Sequence, residues 1–349
     1  MNKQEWKNYK KYGIGHLWEC ETNGWISALY DSKILKLHKL WQKMLKKMQN
    51  IVVSSYTKYY RLRFKLVKKP IIPVLEYVAT TRCTMNCRNC NTLIPYYTDK
   101  THVRPVSFEQ YKSDLDAVLQ SVDYINLFGF VGGEPLLNKD LAKMVEYACN
   151  QKQIKHVFIA TNCTIIPNEE LLQALKHPKI GIQISNYSYV KNLPKGVIVK
   201  HKEVKSLLEK NHIKISNPHE ASHSNNWQTM PVLYPDLQDE KEVIKNYNCC
   251  YGRFCYMLSD GLILQCTACV YMVRNLQLTE EVKNELVDVR NAKTSKELTK
   301  NLIKFLSKPY SQFCHYCHFV DMKYGLPNGE QYKQGDVIRI KKIKYPLIH

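Results

Sequence analysis

Apolar strand-like runs and amphipathic helix-like runs alternate about every 25 to 30 residues between Val74 and Ile215. That rhythm restricts the chain to a parallel α/β sheet or barrel. Val74–Ala79 reads as the first strand, and Ser107 with Gln110 forms a capping box that opens a helix to about Val122. Tyr124–Phe130 is the next strand, then a Gly-Gly turn, then a helix from about Asn138 to Gln151 with Asn138 as its expected N-cap. His156–Ala160, a proline-led helix over Pro167–Leu175, Ile180–Ile184, a helix over Glu203–Asn211 and a short strand Ile213–Ile215 complete the series. Ligands in such folds collect at the carboxyl ends of the strands, and each unusual residue cluster in this region falls at one. The alternation fades after Asn217, which puts a boundary at 217–245.

Cysteine and charge divide the 349 residues further. Of thirteen cysteines, Cys83, Cys87 and Cys90 stand together, and Cys249, Cys250, Cys255, Cys266, Cys269, Cys314 and Cys317 crowd the last third. No secretory signal and no run of the ~18 apolar residues that a membrane span needs is seen, so a soluble cytoplasmic chain is expected. Disulfides are disfavoured in that compartment, and such clusters read first as metal sites. Residues 1–70 hold 16 Lys+Arg against 4 Asp+Glu, a surplus of 12 within the total of +20. There Ile34, Leu37, Trp41, Met44, Met48 and Ile51 recur at helical spacing among Lys36, Lys39, Lys43, Lys46 and Lys47. The ordinary fate of such a helix is to pack on the main domain; contact with an anionic membrane surface or a phosphate-bearing substrate is the alternative. No recognition motif supports nucleic-acid binding, and none is expected.

Cys83-Thr-Met-Asn-Cys87-Arg-Asn-Cys90 directly follows the first strand. Three thiolates at this spacing on a loop can ligate three irons of a cubane and leave the fourth open. Zinc competes, but structural zinc takes four ligands, and the nearest further candidate is His102. Strand two ends in Gly132-Gly133-Glu134-Pro135, where glycines let the backbone approach a ligand closely and a carboxylate could meet an ammonium. Strand three ends in Thr161-Asn162 and strand four in Ser185-Asn186.

In this order these motifs resemble the radical S-adenosylmethionine (SAM) enzymes, over about residues 71–216. The resemblance implies a partial (β/α)6 barrel with a [4Fe-4S] cluster on Cys83, Cys87 and Cys90, and SAM chelating the open iron. It implies that Gly132, Gly133 and Glu134 border the methionyl ammonium, and that Asn162, Ser185 and Asn186 belong to the cofactor site. Two positions depart from the family: Asn89 stands where an aromatic residue usually precedes the third cysteine, and Cys163 follows Thr161-Asn162 where glycine is common. Cys163, at a strand's active end, is the candidate hydrogen-atom donor that an epimerase needs; its ordinary reading is a plain thiol. Cys149, within a helix, reads as core, and His156 and Tyr187 read more readily as structural than as catalytic. Trp227, in the polar bridge, is a candidate for stacking on substrate.

Cys250-x10-Gly261-x4-Cys266 with the later Cys314-x2-Cys317 resembles the twitch domain, a shortened SPASM domain. The resemblance implies one auxiliary [4Fe-4S] cluster on Cys250, Cys266, Cys314 and Cys317, with Cys249 and Cys255 as rivals for the first position; four thiolates also suit zinc. Asp260-Gly261 reads as a hairpin turn. The expected organisation is a basic helical extension over 1–70, the barrel over 71–235, the auxiliary domain over 236–330 and a basic tail over 331–349. Twitch and SPASM relatives include a cyclitol dehydrogenase, sulfatase-maturating enzymes and peptide maturases. With a single auxiliary motif and no evident leader-binding module, the reading favours oxidation or epimerisation of a small polar substrate such as a sugar, cyclitol or nucleotide sugar. An anionic substrate suits the surplus of positive charge, and an external flavodoxin- or ferredoxin-type protein would donate the electron. A peptide-modifying maturase, or a zinc-stabilised basic nucleic-acid-binding protein, are the alternatives.

Overall fold

The computed structural model describes residues 62–216, 231–233, 237–319 and 328–333, with Gln4 and Tyr59 as isolated positions. The expected basic helix over 34–51, Trp227 and the tail from 334 onward lie outside the described residues.

Strands β1 (Ile71–Thr80), β2 (Tyr124–Gly132), β3 (Ile154–Thr161) and β4 (Ile180–Ile184) are joined by helices α1 (Phe108–Ser121), α2 (Leu141–Asn150) and α3 (Glu169–Ala174). Their pairings are all parallel. Helix α4 (His201–Lys210) follows, and Ile215 then meets Ile182 through one parallel bridge, so the expected fifth strand is reduced to a single contact. Ser107 caps α1 as its sequence suggests, accepting from Gln110 N–H at 3.3 Å. Asn138 does not cap α2. Its amide instead donates to Ala79 and Val106 carbonyls at 3.2 and 3.1 Å, which ties the Gly-Gly turn to β1, and Asp140 takes the cap position.

Beyond β5 (Pro231–Leu233) and α5 (Glu240–Cys249), β6 (Cys255–Ser259) and β7 (Leu262–Leu264) form a hairpin. Asp260 and Gly261 both have positive φ, +50° and +76°, as the tight hairpin turn requires. A side chain at 261 would also strike Arg290, whose Nε stands 2.6 Å from that point. Helices α6 (Thr267–Asn275), α7 (Glu280–Lys283) and α8 (Ser295–Leu306), β8 (Val287–Asp288) and β9 (Cys317–Phe319) complete the described chain. β6 pairs parallel to β1, so the hairpin extends the first sheet rather than founding another. The result is one mixed seven-stranded sheet of order β4-β3-β2-β1-β6-β7-β8, crossing the boundary expected at 235/236.

Strand alternation sorts side chains to two faces. Tyr77, Phe128, Phe130, Val157, Ile159 and Tyr256 share one core with Tyr111 and Leu115 of α1, Met144 of α2 and Leu302 of α8. Tyr111 packs edge-on to Tyr77 at 4.7 Å between centroids; a fully buried aromatic of this kind contributes roughly 2–3 kcal/mol. Val78, Met257 and Leu264 face the other way and are covered by Ala268, Val270 and Met272 of α6. Across β2–β4 on that second face, Leu127, Val131, Ala160 and Gln183 remain half-buried, and Val131 packs against the α6 cluster. We call this the inward face. Arg290 on the β8 loop makes two 2.7 Å bonds to buried Asp114 of α1, which ties the antiparallel edge to the parallel half.

Candidate metal and cofactor site

The loop after β1 carries Cys83, Cys87 and Cys90 to the carboxyl edge of the sheet, and a 3.1 Å bond from Cys90 N–H to the Cys87 carbonyl tightens its turn. Burial pushes the Cys83 thiol up to about 12 and the Cys87 thiol higher still, and the neighbouring loop thiols add to both shifts. Two thiols so placed stay protonated unless a cation takes the place of the proton. Polar hydrogens are already aimed at both. Met85 N–H and Asn162 Nδ2 point to Cys83 Sγ at 3.4 and 3.5 Å, and Gln331 Nε2 to Cys87 Sγ at 3.6 Å. Such N–H···S contacts are the outer shell that cluster thiolates use.

Among the described residues, no three Cys, His, Asp or Glu side chains close on one point as a single-ion site requires. A cubane spreads its thiolates over separate irons and surrounds a volume, so the three-thiol loop fits a cluster better than zinc. His102, the other candidate ligand, is engaged elsewhere: its Nδ1 lies 3.0 Å from Thr81 Oγ1 and its ring stacks on Tyr97.

The Gly-Gly turn serves the strands first. A Cβ on Gly132 would stand 2.0 Å from the Thr80 carbonyl oxygen, and one on Gly133 2.1 Å from that of Arg82. The glycines let Gly133 N–H and Glu134 N–H bond those same carbonyls at 2.8 and 2.9 Å, carrying the β1–β2 pairing past the strand ends. The Glu134 carboxylate, expected beside an ammonium, is fully enclosed. It accepts from Thr161 Oγ1 (2.9 Å), Asn162 N–H (2.8 Å) and Leu136 N–H (3.2 Å). Burial raises its pKa to about 7 against these three donors. Glu134 thus locks β2 to β3, and the turn offers a ligand only its backbone.

Asn162 is central. Besides Cys83 it donates to Thr84 Oγ1 at 3.0 Å, and its carbonyl accepts from Thr164 N–H at 3.0 Å. Cys163 occupies the left-handed region at φ +60°, where glycine is the easier fit. Its thiol is wholly enclosed in the helix-side core, and burial raises it to about 12. The structure therefore does not bring Cys163 to the inward face, and the expected hydrogen-atom donor becomes a core thiol. Cys149 is core, as expected. Ser185 N–H continues the β3–β4 edge to the Thr161 carbonyl at 3.0 Å. Asn186 Oδ1 accepts from Ser188 Oγ at 2.6 Å and lines a surface hollow with His201, Lys202 and Lys205. His156 lies near the start of β3, exposed and away from the loop.

Residues 328–333 were invisible to the sequence reading as part of this site. Gln331 bridges to Cys87, its Oε1 accepts from Asn86 N–H at 2.7 Å, and Tyr332 N–H bonds the Asn86 carbonyl at 2.7 Å. Arg88 N–H bonds the Glu330 carbonyl and the two side chains pair, both at 2.6 Å. No periodic or spacing signal marks this segment, which lies some 240 residues from its partner.

The second cysteine group lies at the ends of three elements. Cys250 caps the end of α5, Cys266 caps the start of α6, Cys314 lies within a 3-10 turn and Cys317 ends it. Cys314 is raised by burial and then by the negative charge of Cys266, Cys317 and Cys250, which marks all four as neighbours. Cys269, one helical turn into α6, is buried with its sulfur 3.6 Å from that of Cys266. That thiol's bond and nearby backbone N–H groups lower the Cys266 pKa against its burial. Glu285 positions the last pair, accepting from Ser311 Oγ, Gln312 N–H and Lys308, each at 2.7 Å. The two cysteine sites adjoin: Thr267 Oγ1, beside Cys266, bonds the carbonyl of Asn91, beside Cys90, at 3.2 Å.

Residues 77–215 of the 349 match the Radical SAM superfamily. Enzymes with this domain use a [4Fe-4S] cluster and SAM. An uncharacterized protein of Methanocaldococcus jannaschii is 32% identical over 110 residues, 30% of this chain and 35% of that protein. The match thus spans about a third of that relative's length. The solved structure of BtrN with AdoMet and 2-DOIA is similar at 15% identity over 76% of this chain and 98% of its own, TM-score 0.41. AnSMEcpe with bound AdoMet is 20% identical over 41% of each chain, TM-score 0.33. Streptococcus suis SuiB bound to its precursor peptide SuiA is 16% identical over 47% of this chain and 37% of its own, TM-score 0.32. Among the described residues no helix is long and apolar enough to cross a membrane.

Proposed function

We propose that the protein is a radical SAM enzyme that removes a hydrogen atom from a small polar substrate for dehydrogenation, since the enclosed Cys163 does not supply the hydrogen-atom donor that epimerisation needs. The carrying observation is the three-cysteine loop at the end of β1, with Asn162 and Gln331 donating to two of its sulfurs. Cys83, Cys87 and Cys90 would hold the radical cluster, and Cys250, Cys266, Cys314 and Cys317 an auxiliary one in a twitch-like appendage of a partial barrel. When bound, the cluster and SAM supply one-electron cleavage to a 5′-deoxyadenosyl radical, the acceptor of the substrate hydrogen.

The chain's own residues do the rest. Gly132 and Gly133 keep the β2 edge free of side chains, so SAM would meet backbone there. Asn162 fixes Cys83 and, through Glu134, the ends of β2 and β3. Segment 328–333 lies over the Cys87 turn and shields it from water. Ser185 and Asn186 remain at the next strand end, where the ribose or carboxylate would lie. The inward face below the loop is the place for substrate, and the electron would come from a flavodoxin- or ferredoxin-type donor.

Anaerobically reconstituted protein given dithionite and SAM is expected to release 5′-deoxyadenosine, and Asn162→Leu to slow this about 10- to 100-fold, the usual scale for a lost outer-shell bond. Iron-loaded wild type that yields no 5′-deoxyadenosine would overturn the proposal.

A further inference from the structure

Glu76 interrupts the otherwise apolar β1 strand IIPVLEYVAT. Its register puts it in a transverse row with Met257 on one side and Gly129, Phe158 and Gly181 on the other. The side chain points to the inward face: a Cβ on residue 129 would stand 3.2 Å from Glu76 Cγ and 2.4 Å from the Phe158 ring. Glycine at 129 therefore makes room for the Phe158 ring, which lies beside the Glu76 side chain. Thr80 ends the strand four residues on, so Glu76 lies roughly 13 Å of strand rise below the cysteine loop.

No described residue hydrogen-bonds or ion-pairs with this carboxylate. It is half-buried by surface area yet surrounded by enough protein that burial, and next the negative charge of Cys266, raise its pKa to about 7. A carboxylate drawn partly out of water with no protein donor costs the fold stability. Glu285 and Glu134, which are fully buried, each accept three hydrogen bonds. Stability alone would favour glutamine or leucine at 76, and residues that cost stability without a structural return are those that function retains.

We propose that Glu76 is a substrate-contacting residue that accepts a hydrogen bond from a hydroxyl or ammonium group, so that the inward face selects a donor-bearing polyol or amino-polyol. An anionic group is repelled at this depth, which disfavours a phosphate-bearing substrate. This inference rests on the radical SAM reading for the identity of the face, not for the state of the carboxylate.

The test compares wild type with Glu76→Gln and Glu76→Leu, each reconstituted to wild-type iron, by thermal unfolding at pH 8. Both variants are expected to melt higher than wild type. With SAM present, 10 mM glucosamine or myo-inositol, used as probes, should raise the wild-type melting temperature more than glucose 6-phosphate does, and Glu76→Leu should lose that gain. Variants that melt lower than wild type would make Glu76 a structural carboxylate and overturn the proposal. So would strongest protection by glucose 6-phosphate, or no protection of wild type by either donor probe. Wild type with no iron and no 5′-deoxyadenosine would instead remove the proposed function and leave the melting comparison readable.

Discussion

The two cysteine sites adjoin through the Thr267–Asn91 bond and are built in opposite ways. The first takes its three thiols from eight consecutive residues on the loop that ends β1. The second draws on the end of α5, the start of α6 and a 3-10 turn, which span 68 residues from Cys250 to Cys317. The first is set by local spacing, and its surroundings are added by distant residues: Asn162 from β3 and Gln331 from the far end of the described chain. The second exists only once the sheet has formed, since β6 must pair with β1 and Glu285 must hold the 311–312 turn. Damage to the fold should therefore reach the auxiliary site first.

The largest effect that separates the two is chemical. Cys83→Ala, Cys87→Ala and Cys90→Ala together are expected to reduce 5′-deoxyadenosine formation to background. Cys266→Ala with Cys314→Ala should remove about half the iron yet leave SAM cleavage measurable, with oxidised product lost. Loss of cleavage in both sets would break the proposed division of labour.

A smaller effect falls on the outer shell. Gln331→Leu removes the donor to Cys87 Sγ and should shift the radical cluster's midpoint potential to more negative values by EPR-monitored titration, because a donor to the sulfur stabilises the more negative, reduced state. An unchanged potential would reduce segment 328–333 to a packing role.

The next concerns pH. Glu76 has a folded pKa of about 7, above the ordinary 4.5 of an unfolded glutamate. The protonated folded form is thus favoured, and its stability contribution is full below pH 4.5 and lost as pH rises toward 7. Urea unfolding of wild type should lose on the order of 2–3 kcal/mol from this group across that window, and Glu76→Gln should lose less. Parallel curves would contradict the assigned pKa.

The smallest effect joins the two halves. Arg290→Met leaves Asp114 enclosed without its partner and should cost about 1–2 kcal/mol, discounted because the arginine is partly solvated. Iron should leave the auxiliary site before the radical site on warming.

Legibility in the sequence follows the same division. The alternation of β1–β4 with their helices, the Ser107 cap and the Asp260-Gly261 turn were readable because each depends on neighbours a few residues apart. The three-cysteine loop was readable for the same reason. Pairing of β6 with β1 was not, since two short apolar strands 180 residues apart carry no register signal. The Glu134 carboxylate was expected beside an ammonium and Cys163 was a candidate hydrogen-atom donor; tertiary packing enclosed both. Glu76 could have been found: a lone acid within ten strand residues is a local conflict that asks for a reason. Cys269 was seen but not placed, because only the fold of α6 brings it to Cys266.

The most direct measurement is iron and acid-labile sulfide per chain in anaerobically reconstituted wild type and in the Cys83/Cys87/Cys90→Ala triple variant. Two four-iron clusters predict about eight of each in wild type, falling to about four in the variant. About four falling to none would leave the second site to zinc or to nothing, and no iron in wild type would contradict the account at its root.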